Sequence, residues 1–268
     1  MLLKERVEIM ATRRQWTYEE TRAAFALYFL IGASKADKRN PDVQRLAQAL
    51  GRTPDAVAMK LCNIAANDEN RISAGRVGLA HGAKLDRTIW LDYRDGGDEF
   101  LDGALTELAG AIGHTSVEFD SLAAVSRGLE DLPEGRERSS LIRQRVNQSY
   151  FRNALIDNYE GKCCLTNLSI SALLVASHIK PWRVCDPKTE RLAASNGLLL
   201  NALHDRAFDL GLMTIDQQFH VRIARCVPHD DESVRELWSY NGVEIRLPRT
   251  HPPAREFIEY HNDMIFKG

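Results

Sequence analysis

No stretch of this 268-residue sequence approaches the roughly 20 consecutive apolar residues that a bilayer span requires. The first residues, Met1-Leu2-Leu3-Lys4-Glu5-Arg6, turn charged at once and give no secretory leader. The expectation is a soluble, cytoplasmic protein with no membrane partner. Cysteine pairs are missing too. There are five cysteines, an odd number, with Cys163 and Cys164 adjacent and no Cys-x-x-Cys. That usage offers neither a disulfide framework nor a zinc knuckle. The cysteines read as reduced, with Cys164 in the core of a hairpin. No G-x-G-x-x-G, P-loop or internal repeat is present, so nothing argues for a nucleotide cofactor. Net charge is nearly absent as well, at −2. A polyanion must therefore meet a local patch and not a global field.

What is present supports a sizeable core. At 44% hydrophobic residues, the length suits two domains. One patch departs from neutrality: Arg136 to Arg183 holds eight Lys or Arg against three Asp or Glu. Such a surplus suits a polyanionic substrate, and equally a solvated helix face.

Residues 1–13 read as a charged leader. Trp16 to about Ile31 has helical periodicity, and Thr17 with Glu20 has capping-box spacing. Pro41 opens a short amphipathic helix through Val43, Leu46, Ala47 and Leu50. Gly51-Arg52-Thr53-Pro54 breaks it, and Asp55 to about Ala65 forms another. Two short helices across a Gly-containing turn make a helix-turn-helix pattern. Such units commonly set their second helix in the DNA major groove, so Arg52, Thr53, Lys60 and Asn63 become candidate DNA contacts. Small helical bundles use the same turn for packing alone. Residues 94–135 are acidic and turn-rich around Asp95-Gly96-Gly97-Asp98, with one helix over Glu99–Ile112 and otherwise a linker. Gln148 opens a helix to about Tyr159, and Arg145, Gln148 and Arg152 face either phosphate or solvent. Leu212–Ile215 and His220–Ile223 alternate as a β-hairpin, Gly242–Leu247 reads as a further strand, and Pro252–Phe266 as a closing helix.

The richest window holds Ser177-His178-Ile179-Lys180-Pro181-Trp182, Asn196-Gly197-Leu198-Leu199-Leu200 and His204-Asp205-Arg206-Ala207-Phe208-Asp209. Taken singly, a His is usually a surface or satisfied core residue, and Asn-Gly is a turn signal. Taken together, their order and spacing resemble the HNH nucleases of the ββα-metal class. The Ser-His-Ile-Lys-Pro-Trp form resembles a subgroup many of whose members look like restriction endonucleases. Phosphodiester hydrolysis needs a base to activate water and a divalent cation to stabilise charge on phosphate. The resemblance implies that His178, at the end of a strand, is that base, and a neutral imidazole suits the task. It implies that Asn196 holds the hairpin and that His204, on the following helix, ligates the metal. Many such enzymes carry an Asp before the base. Ser177 stands there instead, and a hydroxyl is the poorer ligand for a hard cation. Asn201 and Asp205 are candidates to complete the shell, with Asn201 preferred because it lies about one turn before His204. Asp209 reads as a cap or turn at the helix end, Trp182 as hairpin core, and Lys180 and Arg206 as phosphate clamps.

The region through Tyr93 is similar to a module found ahead of HNH domains, through Trp16-Thr17-Tyr18-Glu19-Glu20, Leu50-Gly51-Arg52-Thr53-Pro54 and Lys84-Leu85-Asp86. The expected fold is α+β, a helical, helix-turn-helix-like N-terminal module with a C-terminal ββα-metal HNH nuclease domain. Residues 1–95 form the DNA-reading module, 96–130 a helix and linker, and 131–268 the nuclease. The expected function is DNA endonuclease with Mg²⁺ or Mn²⁺, as a restriction enzyme that reads sequence or modified bases. The expected substrate is double-stranded DNA, cut by a homodimer. Two alternatives stay open: an antiphage or toxin-like effector nuclease with little sequence preference, and a non-catalytic DNA-binding regulator with a degenerate HNH fold.

Overall fold

The computed structural model describes residues 14–72, 84–112, 120–127 and 135–268. The leader expected over 1–13 lies outside them. Helix α1 (Tyr18–Ile31) starts on a full capping box. The Thr17 hydroxyl accepts the Glu20 N–H at 3.2 Å, and the Glu20 carboxylate accepts the Thr17 N–H at 3.1 Å. From Ala23 to Ile31 every residue of α1 is buried. A helix apolar around its whole circumference has to be enclosed. The enclosing helices are α2 (Pro41–Ala49), α3 (Pro54–Ala65), the single turn α4 (Glu69–Ile72), α5 (Lys84–Ile112), α6 (Asp120–Ser126) and α7 (Arg136–Asn158). Asn40 and Thr53 cap α2 and α3, each ahead of a first-turn proline. The acidic Gly96-Gly97 stretch, expected as a turn, is a kink inside α5, where Gly97 adopts φ 52°.

α7 belongs to two cores. Val146 and Tyr150 join the helical core, where Tyr150 stacks on Phe29 at 4.3 Å. Phe151 and Leu155 join a second core built on two small antiparallel sheets. In the first sheet β1 (Leu174–His178) pairs with β2 (Gly197–Asn201), so His178 faces Gly197 across the strands. Helix α8 (Ala202–Asp209) follows β2 without a loop. In the second sheet β3 (Met213–Ile215) pairs with β4 (Val221–Ile223). Gly242–Leu247, expected as a strand, contributes one bridge, His220 with Glu244. Its backbone bonds to Val221, Phe219 and Cys164 in turn, so no ladder builds on one partner. Helices α9 (Asp231–Glu236) and α10 (Arg255–Met264) close the chain. The fold is α+β, helical at the N-terminal side with a mixed C-terminal domain. Among the described residues no helix is long and apolar enough to cross a membrane.

Candidate active site

The His178 ring stacks on Phe151 at 3.8 Å with 12° between the planes. This approach needs a glycine opposite. A Cβ on Gly197 would lie 2.6 Å from Leu155 and 2.7 Å from the Phe151 ring. His178 Nε2 lies 2.9 Å from the Arg191 carbonyl. A carbonyl only accepts, so Nε2 carries the hydrogen and Nδ1 keeps its lone pair. Burial lowers the His178 pKa, opposed by the Arg191 bond. The ring is therefore neutral at neutral pH, as a proton acceptor must be.

Asn196 is completely buried and tied on both ends of its amide. Its Oδ1 accepts the Lys180 N–H at 2.8 Å. Its Nδ2 donates to the Lys180 carbonyl at 3.2 Å, the Glu190 carbonyl at 3.3 Å and Cys185 Sγ at 3.2 Å. One side chain thus pins three points of the 179–196 loop that leads from β1 to β2. A buried amide with every group satisfied fixes one loop path, which is also the path that delivers the Arg191 carbonyl to His178.

A cavity of about 280 Å³ opens beside the base. Ser177, His178, Pro181, Trp182, Asp205, Asp209 and His261 are among its walls. Asp205 and Asp209 are one helical turn apart on α8, which puts both carboxylates on the same face. Burial raises the pKa of each. Asp209 raises Asp205 further, while the Ser177 hydroxyl and Arg206 act the other way. The buried Ser177 Oγ lies at Asp205 without a well-formed hydrogen bond. Two carboxylates one turn apart beside the Ser177 hydroxyl form a hard-oxygen donor set suited to a divalent cation. Among the described residues no group of three or more His, Cys, Asp or Glu is arranged for a metal ion. A hydrated cation of the Mg²⁺ kind needs fewer, because it holds waters and substrate phosphate besides one or two carboxylates.

His204 and Asn201, expected as metal ligands, are elsewhere. His204 is 2% exposed on the opposite face of α8. Its Nε2 donates to the Glu236 carbonyl at 3.0 Å, and its ring meets Tyr240 edge-on at 4.9 Å. It also lies at Cys163. Burial raises that thiol, but His204 and Thr166 more than offset the effect and bring it down to about 7. Asn201 is the N-cap of α8, with Oδ1 on the His204 N–H at 2.9 Å. That bond sets the helix start, and the helix start turns Asp205 and not His204 toward the cavity. Asp205, the less favoured candidate, lines the cavity. So does Asp209, which reads locally as a helix end.

The expected phosphate contacts divide sharply. Arg52 is paired with Glu20 at 2.6 Å and packs 4.0 Å over the Trp16 ring. The Lys60 ammonium is 2.5 Å from Asp86, and both side chains are essentially inaccessible. Both cations are spent on partners inside the helical core and offer no free charge at its surface. The exposed positions of α3, Asp55, Met59 and Cys62, carry no positive charge. Arg145 donates to the Val125 and Arg127 carbonyls, and Arg152 to those of Leu174 and Ser171. Lys180 is held by Glu190 at 2.6 and 2.8 Å. Gln148 is exposed on α7, and Arg206 is exposed beside Asp205 and Asp209. Trp182 lies edge-on to His178 at 5.6 Å with the Arg191 guanidinium 5.2 Å over its ring.

Sequence reasoning missed His261. It is 1% exposed, stacks on Phe208 at 3.7 Å, and bonds Thr214 Oγ1 at 2.8 Å and the Phe208 carbonyl at 3.2 Å. Burial depresses its pKa to about 4. It fastens the end of α8 that carries Asp209. A lone His more than fifty residues after Phe208 gives no local signal of that role.

No curated protein matches the chain. Residues 163–216, which run from Cys163 through β1, β2, α8 and β3, match the family model described as HNH endonuclease, so the C-terminal part of the chain carries an HNH nuclease domain.

Proposed function

We propose that the protein is a metal-dependent DNA endonuclease whose base is His178 and whose cation is held by Asp205 and Asp209. One observation carries this reading: a single cavity unites a neutral, tautomer-fixed imidazole with two carboxylates one helical turn apart and a serine hydroxyl. A divalent cation bound there supplies Lewis acidity at the phosphate and the leaving oxygen. His178 Nδ1 takes the proton of the attacking water. The Arg191 carbonyl keeps the proton on Nε2 and stabilises the imidazolium that forms. Asn196 keeps that carbonyl in place. Ser177 and Asp205 orient the remaining water around the site, and Arg206 meets a phosphate at its edge. The carboxylate pair supplies charge that Ser177 lacks, which weighs against a degenerate, non-catalytic domain.

A restriction role is the first reading, with a homodimer placing one site on each strand of a symmetric target. The acidic and apolar exposed face of α3 favours a second reading, an effector nuclease with little sequence preference. Plasmid cleavage tests the proposal. Cutting with Mg²⁺ or Mn²⁺, lost in chelator and in Asp205→Asn, is the expected result. Full activity in excess chelator would remove the metal mechanism. Discrete fragments favour restriction, and a smear favours the effector.

A further inference from the structure

Asn70 lies in α4, outside the nuclease domain, yet it holds the loop that orients the base. Its Nδ2 donates to the Leu192 carbonyl at 2.9 Å, and its Oδ1 accepts the Ala194 N–H at 3.0 Å. Those residues fall between Arg191, whose carbonyl fixes the His178 tautomer, and Asn196, which pins the loop. We propose that Asn70 is a positioning residue for His178, so that the helical part of the chain sets the geometry of the base. The proposal rests on the nuclease reading of His178.

Asn70 is itself rigidly mounted. Its Nδ2 also donates to the Tyr150 hydroxyl at 2.9 Å. Its backbone N–H donates to Asp68 Oδ1 at 2.9 Å, and its carbonyl accepts from His251 Nε2 at 2.8 Å. Asp68 is buried and takes the hydroxyls of Tyr28 at 2.5 Å and Tyr150 at 2.7 Å. The Asn70 side-chain amide therefore joins α7 of the helical core to the 192–194 loop. Asn196 and the Arg191 N–H, bonded to the Asp186 carbonyl at 3.2 Å, hold the loop on the other side of Leu192, and Asn70 holds it from the helical core. Two cavities, of about 330 and 130 Å³, border Asn70, and the smaller one runs along Leu192 and Ala193. A segment bordered by open space relaxes once its hydrogen bonds are removed, and the buried Ala194 N–H is then left without a partner. The two neutral imidazole tautomers differ little intrinsically. The Arg191 carbonyl selects one, and that selection is only as firm as residues 191–194 are.

The test uses full-length protein and two readouts. The first is plasmid cleavage with Mg²⁺. The second is the ¹⁵N–¹H correlation of the His178 ring, which reports its tautomer without any catalysis. Asn70→Ala is expected to lower kcat by roughly 10- to 100-fold, the scale of a misplacement of about 1 Å, with KM for DNA nearly unchanged. It is also expected to replace the single Nε2–H signal by a tautomer mixture. Arg71→Ala is the control, because it breaks the neighbouring Arg71–Asp157 ion pair without touching the loop. It should keep both rate and tautomer. Should Asn70→Ala not fold, Asn70→Asp has the same shape, keeps the acceptor for Ala194 and loses the donor to Leu192, and is expected to show the same changes in part. Wild-type rate and a single tautomer in folded Asn70 variants would overturn the proposal. Absence of cleavage in wild type would sink the nuclease reading instead, and the tautomer comparison would still judge Asn70.

Discussion

The two faces of α8 have opposite characters. One face sends His204, Ala207 and Phe208 into the second core. The other brings Asp205 and Asp209 to the cavity beside His178. Neighbouring residues on a helix are about 100° apart, so a step of one position exchanges a core histidine for a cavity carboxylate. The resemblance of the motif pointed the other way, to His204 as the metal ligand. The difference teaches that position on the helix decides the role, and that the Asn201 cap decides the position.

The largest effect belongs to the cavity face. His178→Ala should reduce cleavage by about 10²–10⁴-fold with DNA binding nearly intact, because losing a general base costs rate and little affinity. Asp205→Asn and Asp209→Asn should each lose cation-dependent cleavage. Asp205→Asn should also raise the melting temperature in metal-free buffer, because the fold raises the pKa of the half-buried Asp205, its ionised form costs stability above the unfolded pKa, and the amide removes that cost. Activity lost with stability gained is the signature to measure, by cleavage assay and thermal melt on the same samples. A fall in both would mean that the Asp205 carboxylate is structural.

The core face predicts the reverse. His204→Ala removes the bond to the Glu236 carbonyl and the contacts with Tyr240 and Cys163. It should cost about 1–3 kcal/mol of stability, the scale of removing a buried side chain together with its hydrogen bond, while the folded fraction keeps cutting. Denaturant unfolding with rates normalised to folded protein separates the two. Abolished cleavage in a fully folded variant would return His204 to the site.

His261 gives the comparison a pH axis. Its pKa is depressed from 6.5 to about 4, so the unfolded chain takes up the proton first as pH falls. The stability from a neutral His261 is fully present above pH 6.5 and is lost as pH falls toward 4. At roughly 1.4 kcal/mol per pKa unit, the loss is about 3 kcal/mol. His261→Gln does not titrate there, so its stability should fall less between pH 7 and pH 4 than that of wild type. Parallel curves would show that His261 is not buried neutral.

Much of this was legible in the sequence, and the failures share one cause. The capping box, the α2–α3 turn, the β1–β2 hairpin and the placement of His178 and Asn196 in it rest on neighbours within a few residues or on one short window. What was not legible depends on distant partners. Arg52 and Lys60 look like free cations until Glu20 and Asp86 are seen beside them, 32 and 26 residues away. Asp95-Gly96-Gly97-Asp98 has the composition of a turn, but residues packed on both sides of it keep α5 running through a kink. The preference for Asn201 over Asp205 beside the metal turned on whether Asn201 was a ligand or a cap, and both uses suit an asparagine.

The smallest effect separates free charge from spent charge. Arg206 is exposed beside the cavity, whereas Arg52 is closed into Glu20 and Trp16. Only a cation that reaches phosphate displaces counterions, so only Arg206 should contribute to the salt dependence of DNA affinity. Arg206→Ala should lower the slope of log K against log salt by about one contact, weakening binding alike across sequences. Arg52→Ala should leave that slope unchanged and lower stability instead, because it removes one of the two guanidinium partners of the mostly buried Glu20 carboxylate and leaves only Arg14. Binding isotherms of the two variants at several salt concentrations, set beside their melting curves, decide the matter. An equal change of slope in both would mean that the helical region opens to bring Arg52 onto DNA, and it would revive that region as the reader of the target.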